Sequence, residues 1–345
     1  MQEIVLSDPQ TMPALTSAQK DWCIQQLQDQ LNGPVQIQNI APLRVEASHR
    51  VFYRLNTNAG NLVFMSSPPA LENNQAFLAI ASTFHQAGIP VPEILGRDLD
   101  RGWVLMTDLG TIHLADVYGT EQEQEAIEAA VAQLIPLSQI QGLPVYTAQR
   151  MHDELNIFAE WFVAGLLNQR RSTDLTASMN LLVEATQVQP QCCIHRDYHC
   201  RNLLFSTNHL GIVDFQDALQ GPVLYDIASL LRDCYHEFSE SFIRRWLDDY
   251  HRRQPLLADT ASAQVWDWFN FTAIQRQLKA VGIFARLHLR DAKSSHLSHI
   301  IPVLTRLEHL LGKYPDLKPL HLAILQYLGE AGGLHVLRSS NPGTN

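Results

Sequence analysis

The stretch Cys193-Ile194-His195-Arg196-Asp197-Tyr198-His199-Cys200-Arg201-Asn202-Leu203-Leu204-Phe205, continued by Ser206-Thr207-Asn208-His209 and Leu210-Gly211-Ile212-Val213-Asp214-Phe215-Gln216-Asp217, decides how the chain is read. Two short apolar runs flank a polar segment short enough for a tight hairpin. Such a hairpin brings Asn202 and Asp214 together at one end of two paired strands. An amide oxygen and a carboxylate are hard donors that suit Mg²⁺, with water and phosphate oxygens completing the shell. Asp197, one loop earlier, is placed to take a proton from a hydroxyl aligned for in-line attack. A carboxylate base, a metal-binding Asn and a metal-binding Asp form a working set for phosphoryl transfer.

The rest of the chain narrows the classes. Its 345 residues suit about two domains at the usual size of roughly 150 residues each. A 46% hydrophobic and 17% charged composition builds a core and excludes disordered and fibrous classes. The net charge is −10, and cations cluster only in short pairs such as Arg170-Arg171, Arg244-Arg245 and Arg252-Arg253. Without a basic stripe, a nucleic-acid backbone is a poor partner. No apolar run approaches the length of a membrane span, and no secretory signal opens the sequence. The 5 cysteines include the adjacent Cys192 and Cys193 and lack a repeated CxxC spacing, so a reducing compartment is expected, with the cytoplasm as default. A zinc site from Cys192, Cys193, His195 and His199 would need crowded ligands alternating along a strand.

The first hundred residues read as strand-rich. A helix over 17–31 is followed by a hairpin of 50–55 and 61–65, joined by Asn56-Thr57-Asn58-Ala59-Gly60. A helix over 71–87 presents Phe77, Ile80, Ala81 and Phe84 on one face, and Trp103-Val104-Leu105-Met106 reads as a buried strand. Beyond Gly110 the pattern turns helical, over 121–140 and over 151–167, where Leu155, Phe158, Phe162 and Leu166 form an apolar stripe. Strands return briefly over 191–215, and helix dominates to about residue 328. The fold class is α+β, with a small β-rich unit over 1–106 and a larger, mostly helical one over 107–345.

The order H-R-D-x₄-N followed by a strand-terminal Asp resembles the catalytic loop and metal Asp of protein kinase-like phosphotransferases. The finer resemblance is to the aminoglycoside phosphotransferase/choline kinase family. His199 stands two residues after Asp197, Asp214-Phe215-Gln216-Asp217 replaces D-F-G, and Gly221-Pro222-Val223-Leu224-Tyr225-Asp226-Ile227-Ala228 carries its P-x-x-x-D-x-A segment. The resemblance implies a two-lobed, protein kinase-like fold with ATP and Mg²⁺ as cofactors. It makes Asp197 the catalytic base and Asn202 and Asp214 the metal ligands, with His195 and Asp226 supporting the loop. Within the family, Gly102-Trp103-Val104-Leu105-Met106-Thr107-Asp108-Leu109-Gly110 and Lys279-Ala280-Val281-Gly282-Ile283-Phe284-Ala285-Arg286-Leu287 resemble one bacterial branch. That branch phosphorylates the anomeric (C1) hydroxyl of N-acetylmuramate and N-acetylglucosamine in cell-wall sugar recycling.

The resemblance also implies a nucleotide pocket between the lobes, with adenine on backbone groups around Met106 and Thr107. Two departures bear on it. No G-x-G-x-x-G precedes Arg50, so backbone N–H groups, the Ser48 hydroxyl or Arg50 would meet the phosphates. Met65 stands where the family's strand would place a phosphate-pairing Lys. Another cation, Arg50 or Arg201, must then balance the phosphates, and Glu72 reads as a surface residue. For the acceptor the helical part offers Glu154 and Trp161, then Asp217 and Arg232, then Arg276 or Lys279 for the lactyl carboxylate of N-acetylmuramate. Two other readings stand beside this one. One is a kinase of the same family acting on an aminoglycoside, choline or homoserine; the other is a silent nucleotide-binding scaffold. A small-molecule amino sugar is the expected partner, with no obligatory protein partner. No activation segment fits between Asp217 and Asp226 for a protein kinase.

Overall fold

The computed structural model of the chain describes residues 14–28, 34–43, 49–171, 173–206 and 209–338. In chain order come α1 (Ser17–Gln28), β1 (Ile37–Leu43), β2 (Val51–Thr57), β3 (Gly60–Ser66), α2 (Asn74–Gln86), β4 (Ile94–Asp98), β5 (Trp103–Thr107), α3 (Leu114–Val117) and α4 (Glu123–Ser138). Then follow α5 (Ala148–Ile157), a π-helical stretch (Phe158–Leu166), α6 (Thr173–Gln187), β6 (Gln191–Ile194), β7 (Leu203–Ser206), β8 (His209–Ile212) and β9 (Leu219–Pro222). The remainder is helical: α7 (Tyr225–Leu231), α8 (Glu240–Arg253), α9 (Ser262–Asp291), α10 (Ile300–Leu311) and α11 (Lys318–Gly333). The α+β class read from the sequence is the one observed.

The chain divides into two compact units, Met1–Ala126 with Arg201–Asp217, and Ile127–Cys200 with Ala218–Asn345. A single cut at 106/107 follows the order of strands along the chain, whereas the compact first unit runs further and takes back the β7–β8 hairpin. Backbone bonding is the reason. Phe205 N–H donates to Ile112 O at 2.8 Å, Ile212 N–H donates to Pro90 O at 2.8 Å, and His113 bridges Leu204.

In the first unit an antiparallel sheet runs β1-β2-β3-β5-β4. The β2–β3 turn is tighter than its turn-rich sequence suggests. The ladder runs out to Thr57 opposite Gly60, and the Thr57 hydroxyl donates to Gly60 O at 2.8 Å, leaving Asn58 and Ala59 at the tip. Alternation puts Tyr53, Leu55, Leu62, Phe64 and Leu105 into one buried cluster with Cys23 and Leu27 of α1. Met65 therefore falls on the opposite face from Phe64, fully buried. Helix α2 starts at an Asn73 cap whose side chain accepts from Ala76 N–H, and the four expected residues, Phe77, Ile80, Ala81 and Phe84, are all buried. Gly102, between β4 and β5, has φ +68°, and a Cβ there would stand 1.8 Å from Ser67 O, so no other residue fits.

In the second unit the 30-residue α9 is the central element, packed by α5, α6, α7, α10 and the π-helical stretch. The sequence pattern gives one continuous helix over 151–167, but α5 ends at Ile157 and the backbone widens into π winding. The widening shifts the apolar stripe. Leu155, Phe158 and Phe162 are buried, while Leu166 is half-buried and Val163 and Leu167 go inside instead. It begins where α9 approaches most closely. A Cβ on Gly282 would lie 2.5 Å from Phe158 N, so glycine is what allows these two backbones to touch. A small antiparallel pair, β6 with β9, leads the chain into the loop at 195–200, with Ile194 opposite Leu219.

Candidate active site

The loop after β6 belongs to the second unit. Arg196 has φ +77°, a left-handed conformation that costs a non-glycine residue on the order of 1–3 kcal/mol unless its surroundings fix it. They do so from three sides. The Asp226 carboxylate, in the first turn of α7, accepts from His195 N–H at 2.6 Å and from Arg196 N–H at 3.0 Å. Arg276 of α9 donates to Arg196 O, and the Arg196 guanidinium donates to Glu154 of α5. Further along, Cys200 N–H donates to Asp233 at 3.0 Å. Asp226 and Asp233 are seven residues apart and clamp the two ends of the loop that carries Asp197.

Glu154 is the hub of this region. Besides Arg196 it pairs with Lys279 Nζ at 3.2 Å and accepts from the Tyr146 hydroxyl, which in turn accepts from Gln275 Nε2 at 3.0 Å. Burial alone would keep Glu154 neutral, but Lys279, Arg196 and the Tyr146 hydroxyl hold its carboxyl down at about 2. The same balance applies at Asp197: burial favours the neutral acid, and Lys279, Arg276, His199 and Arg196 together keep it well below the usual carboxylate range. Asp226 goes the other way. Burial pushes it up to about 6, against the pull of the His195 and Arg196 N–H groups and of Arg276.

Asn202 and Asp214 lie in the first unit, at the open end of the β7–β8 hairpin. The ladder sets Leu203 opposite Ile212, and Val213 N–H donates to Asn202 O at 3.0 Å. One step further out, Asn202 Nδ2 donates to Asp214 Oδ2 at 3.3 Å, and Gln216 Nε2 donates to Asp214 Oδ1 at 2.7 Å. Asp214 has φ +63° and is exposed. Its neighbour Phe215 anchors it, buried and stacked on Phe77 of α2 with centroids 5.3 Å apart. This pair fits a small hard cation. Adjacent oxygens around octahedral Mg²⁺ are about 2.9 Å apart, close to the present separation, and turning over the Asn202 amide presents an oxygen in place of its NH₂. No trio of His, Cys, Asp or Glu able to hold a metal gathers among the described residues. A cation at this pair would complete its shell from water or ligand oxygens.

The remaining expected residues are distributed as follows. Ser48 lies outside the described residues. Arg50 is buried, 3.2 Å from Glu72 and over the Phe77 ring at 5.3 Å, so Glu72 is an ion-pair partner, not simply a surface residue; it also accepts from His49 N–H. Met106 is paired on both sides, to Val63 and Ile94. Thr107 N–H donates to Glu93 O at 3.0 Å, so this donor is already taken. Just beyond it the segment is gripped by a residue that nothing in the sequence singles out. Arg54 of β2 donates to both Asp108 oxygens, at 2.6 and 3.0 Å, and to Gly110 O at 2.7 Å. Arg201 is half-buried at the start of the hairpin, and Asp217 is exposed. His195 is fully buried, edge-on to Tyr198.

Of the acceptor candidates, Glu154, Arg276 and Lys279 are drawn into the network around Asp197. Arg232 joins a second cluster, bonded to Asn270 and Glu240 and lying over Phe269. Trp161 is half-buried on the π-helical stretch. Near Arg232 a cavity of about 230 Å³ opens, lined among others by Asp233, Glu237, Glu240, Gln277 and Arg306. Asp233, two residues past the end of α7, clamps the loop with no local sequence signal to mark it.

Residues 39–266 match the model of the phosphotransferase enzyme family (APH). The chain is 33% identical over 304 residues to an N-acetylmuramate/N-acetylglucosamine kinase of Neisseria meningitidis serogroup B, covering 83% of this chain and 89% of that one. A protein of the same name from Pseudomonas aeruginosa is 32% identical, covering 84% and 88%. Among solved structures, a choline kinase from Streptococcus pneumoniae is similar with a TM-score of 0.60 at 11% identity, covering 86% of this chain and 100% of the other. An ADP-bound aminoglycoside phosphotransferase is similar with a TM-score of 0.54 at 13% identity, covering 85% and 97%. These two share the fold. With the family match running from the first sheet strand into α9, the chain belongs to the phosphotransferase enzyme family.

Proposed function

We propose that this phosphotransferase moves the γ-phosphoryl group of ATP to the anomeric C1 hydroxyl of N-acetylmuramate or N-acetylglucosamine, in cell-wall sugar recycling in the cytoplasm. The observation that carries phosphoryl transfer is the pairing of Asn202 with Asp214, whose side chains meet with Nδ2 3.3 Å from Oδ2 at the end of a register-locked hairpin. The acceptor is carried by 33% identity along most of the chain to a kinase named for these two sugars.

Asn202 and Asp214 would hold Mg²⁺, which supplies neutralising charge for phosphate oxygens when bound. The chain's own side chains do the rest. Asp197 accepts the proton of the acceptor hydroxyl. Its carboxylate is held strongly ionised and is therefore a weak base, which suits a hydroxyl more acidic than an ordinary alcohol, as an anomeric one is. Asp226, Asp233 and Arg276 fix the loop so that Asp197 does not have to be ordered when substrate arrives. Arg201 and Arg50 are the cations assigned to the phosphates in place of a lysine at Met65.

A cationic acceptor, an aminoglycoside or choline, would want unpaired carboxylates. In the cavity beside α7 two of the three carboxylates are taken up, and the third, Glu237, lies 4.0 Å from Arg306. Asp233 accepts from Cys200 and Tyr235 N–H groups, and Glu240 is held by Arg232 at 3.0 Å and Lys313 at 3.3 Å. The test is a panel of sugars with Mg·ATP, read by phosphorus NMR and by acid lability of the product. An acid-labile 1-phosphate from either amino sugar is expected. An acid-stable ester would move the reaction to another hydroxyl, and ATP turnover that no acceptor stimulates would leave a nucleotide-binding scaffold.

A further inference from the structure

We propose that Glu154 holds the Lys279 ammonium away from the Asp197 carboxylate, keeping that carboxylate usable as a base. The inference rests on Asp197 being the proton acceptor of the proposed reaction. Helix α9 presents Arg276 and Lys279 three residues apart, on one face, toward the loop. Arg276 is fixed, its guanidinium donating to Arg196 O and lying 4.5 Å above the Tyr225 ring. Lys279 is a flexible point charge with three rotatable donors and two carboxylates to choose from. It sits 3.2 Å from Glu154 Oε2 and, among the cations around Asp197, is the one that acts on it most strongly. Glu154 is itself immobile, since Tyr146 and Arg196 occupy its oxygens from other sides and the residue is only 6% exposed.

The arrangement has a consequence for the reaction. A lysine resting on Asp197 would take a lone pair from the base and weaken its proton affinity further, and a general base loses rate as it loses affinity for the proton. Glu154 prevents this by offering the ammonium a firmly anchored partner at 3.2 Å. Around the loop Glu154, Asp197, Asp226 and Asp233 stand against Arg196, Arg276 and Lys279. Glu154 is thus a positioning residue: it acts through Lys279 on Asp197.

The test is a double-mutant cycle. Glu154→Gln keeps an oxygen for Arg196 and a partner for the Tyr146 hydroxyl, and removes the negative charge that retains Lys279 and that also pairs with Arg196. It should lower kcat by about 10- to 100-fold, with the amino-sugar KM and ADP affinity within about 2-fold of wild type. Lys279→Met should lower kcat only a few-fold. Combining the two should restore kcat to about the level of Lys279→Met, because no lysine is left to close on the base. A double variant as slow as Glu154→Gln, or slower, overturns the proposal. Should Glu154→Gln fail to fold, Lys279→Met decides alone: a loss of about 100-fold or more would make Lys279 part of the reaction and remove the need for Glu154 to restrain it. Wild-type protein inert toward both sugars would sink the functional reading instead, and the cycle is then read on phosphate release from Mg·ATP to water, which calls on the same base.

Discussion

The surroundings of Asp197 and of Asp214 come from one short motif and are built on opposite principles. Around Asp197 the protein has gathered three cations and three carboxylates in a buried network, and every backbone group of the strained Arg196 is held by a charged side chain. Around Asp214 the carboxylate is exposed and accepts from two neutral amides, Asn202 and Gln216. Left-handed backbone at both Arg196 and Asp214 says that each carboxylate is aimed by design, since neither conformation is adopted without support. On the proposed function, the difference lies in what each carboxylate waits for. A base must have its charge and direction settled before the acceptor arrives, whereas a metal ligand acquires its counter-charge with the ion. In that reading Asp214 stays exposed beside the Asn202 amide, and the two would turn their oxygens to a cation together.

The sharpest way to break that comparison is at the base. Asp197→Asn keeps the shape and removes the proton acceptor, so kcat should fall by about 10²- to 10⁴-fold with nucleotide affinity nearly unchanged. Steady-state turnover and ADP titration check it, and normal turnover would mean that another group takes the proton. At the other pole, Asp214→Asn should lower kcat/KM by about 100-fold or more at fixed Mg²⁺ and be partly rescued by raising the metal concentration. Asn202→Asp supplies a second hard oxygen and should cost only a few-fold, with tighter metal dependence. If neither variant responds to metal concentration, the hairpin end is not the metal site.

A third prediction sets apart the carboxylates of the buried region by sign. Glu154 and Asp197 are depressed, so their stabilisation is present at neutral pH and is lost as pH falls through their low native values. Asp226 is raised to about 6, so its contribution is full below the ordinary carboxylate value and is lost as pH rises through about 6. The difference in melting temperature between wild type and Asp226→Asn should therefore shrink from about pH 4 to about pH 7, by a few degrees. A difference that stays flat would mean that Asp226 is ionised throughout the range.

How much of this was legible in the sequence follows the range of the interactions. The hairpin, the buried face of α2 and the order Asp197, Asn202, Asp214 are local and carry local signals: alternation, a helical stripe, a short polar turn. What the sequence does not carry is non-local. It offers Glu154, Arg276 and Lys279 as acceptor contacts and says nothing of their contacts with one another and with the loop, because a charged residue on a helix does not reveal which neighbour it will meet. The structure joins them across more than a hundred residues, and only the packing of α5 against α9 decides it. The π winding after Ile157 was invisible for the same reason, since it begins where Gly282 of another helix lies against the backbone of Phe158. Glu72 read as a surface residue because no Lys at Met65 asked for a partner, yet Arg50 supplies one.

The smallest effect is expected far from both carboxylates, and it tests whether pre-ordering extends to the first unit's backbone. With Thr107 N–H donated to Glu93 O, and Gly110 bonded through its carbonyl to Arg54 and through its N–H to Asp108, a base seeking main-chain partners would meet Asp108 and Leu109. Arg54 fixes this segment, holding Asp108 in a two-oxygen grip and Gly110 by its carbonyl. Its side chain is largely buried, so the interaction is stiff and poorly screened. Arg54→Met should raise the KM for ATP by about 3- to 10-fold while leaving the acceptor KM and kcat near wild type, because only the ordering of the segment is lost. Arg54→Lys, with one charge but no fork, should fall between the two. Equal losses in both KM values would mark Arg54 as a general stabiliser, and an unchanged ATP KM would show that the nucleotide does not read this segment at all.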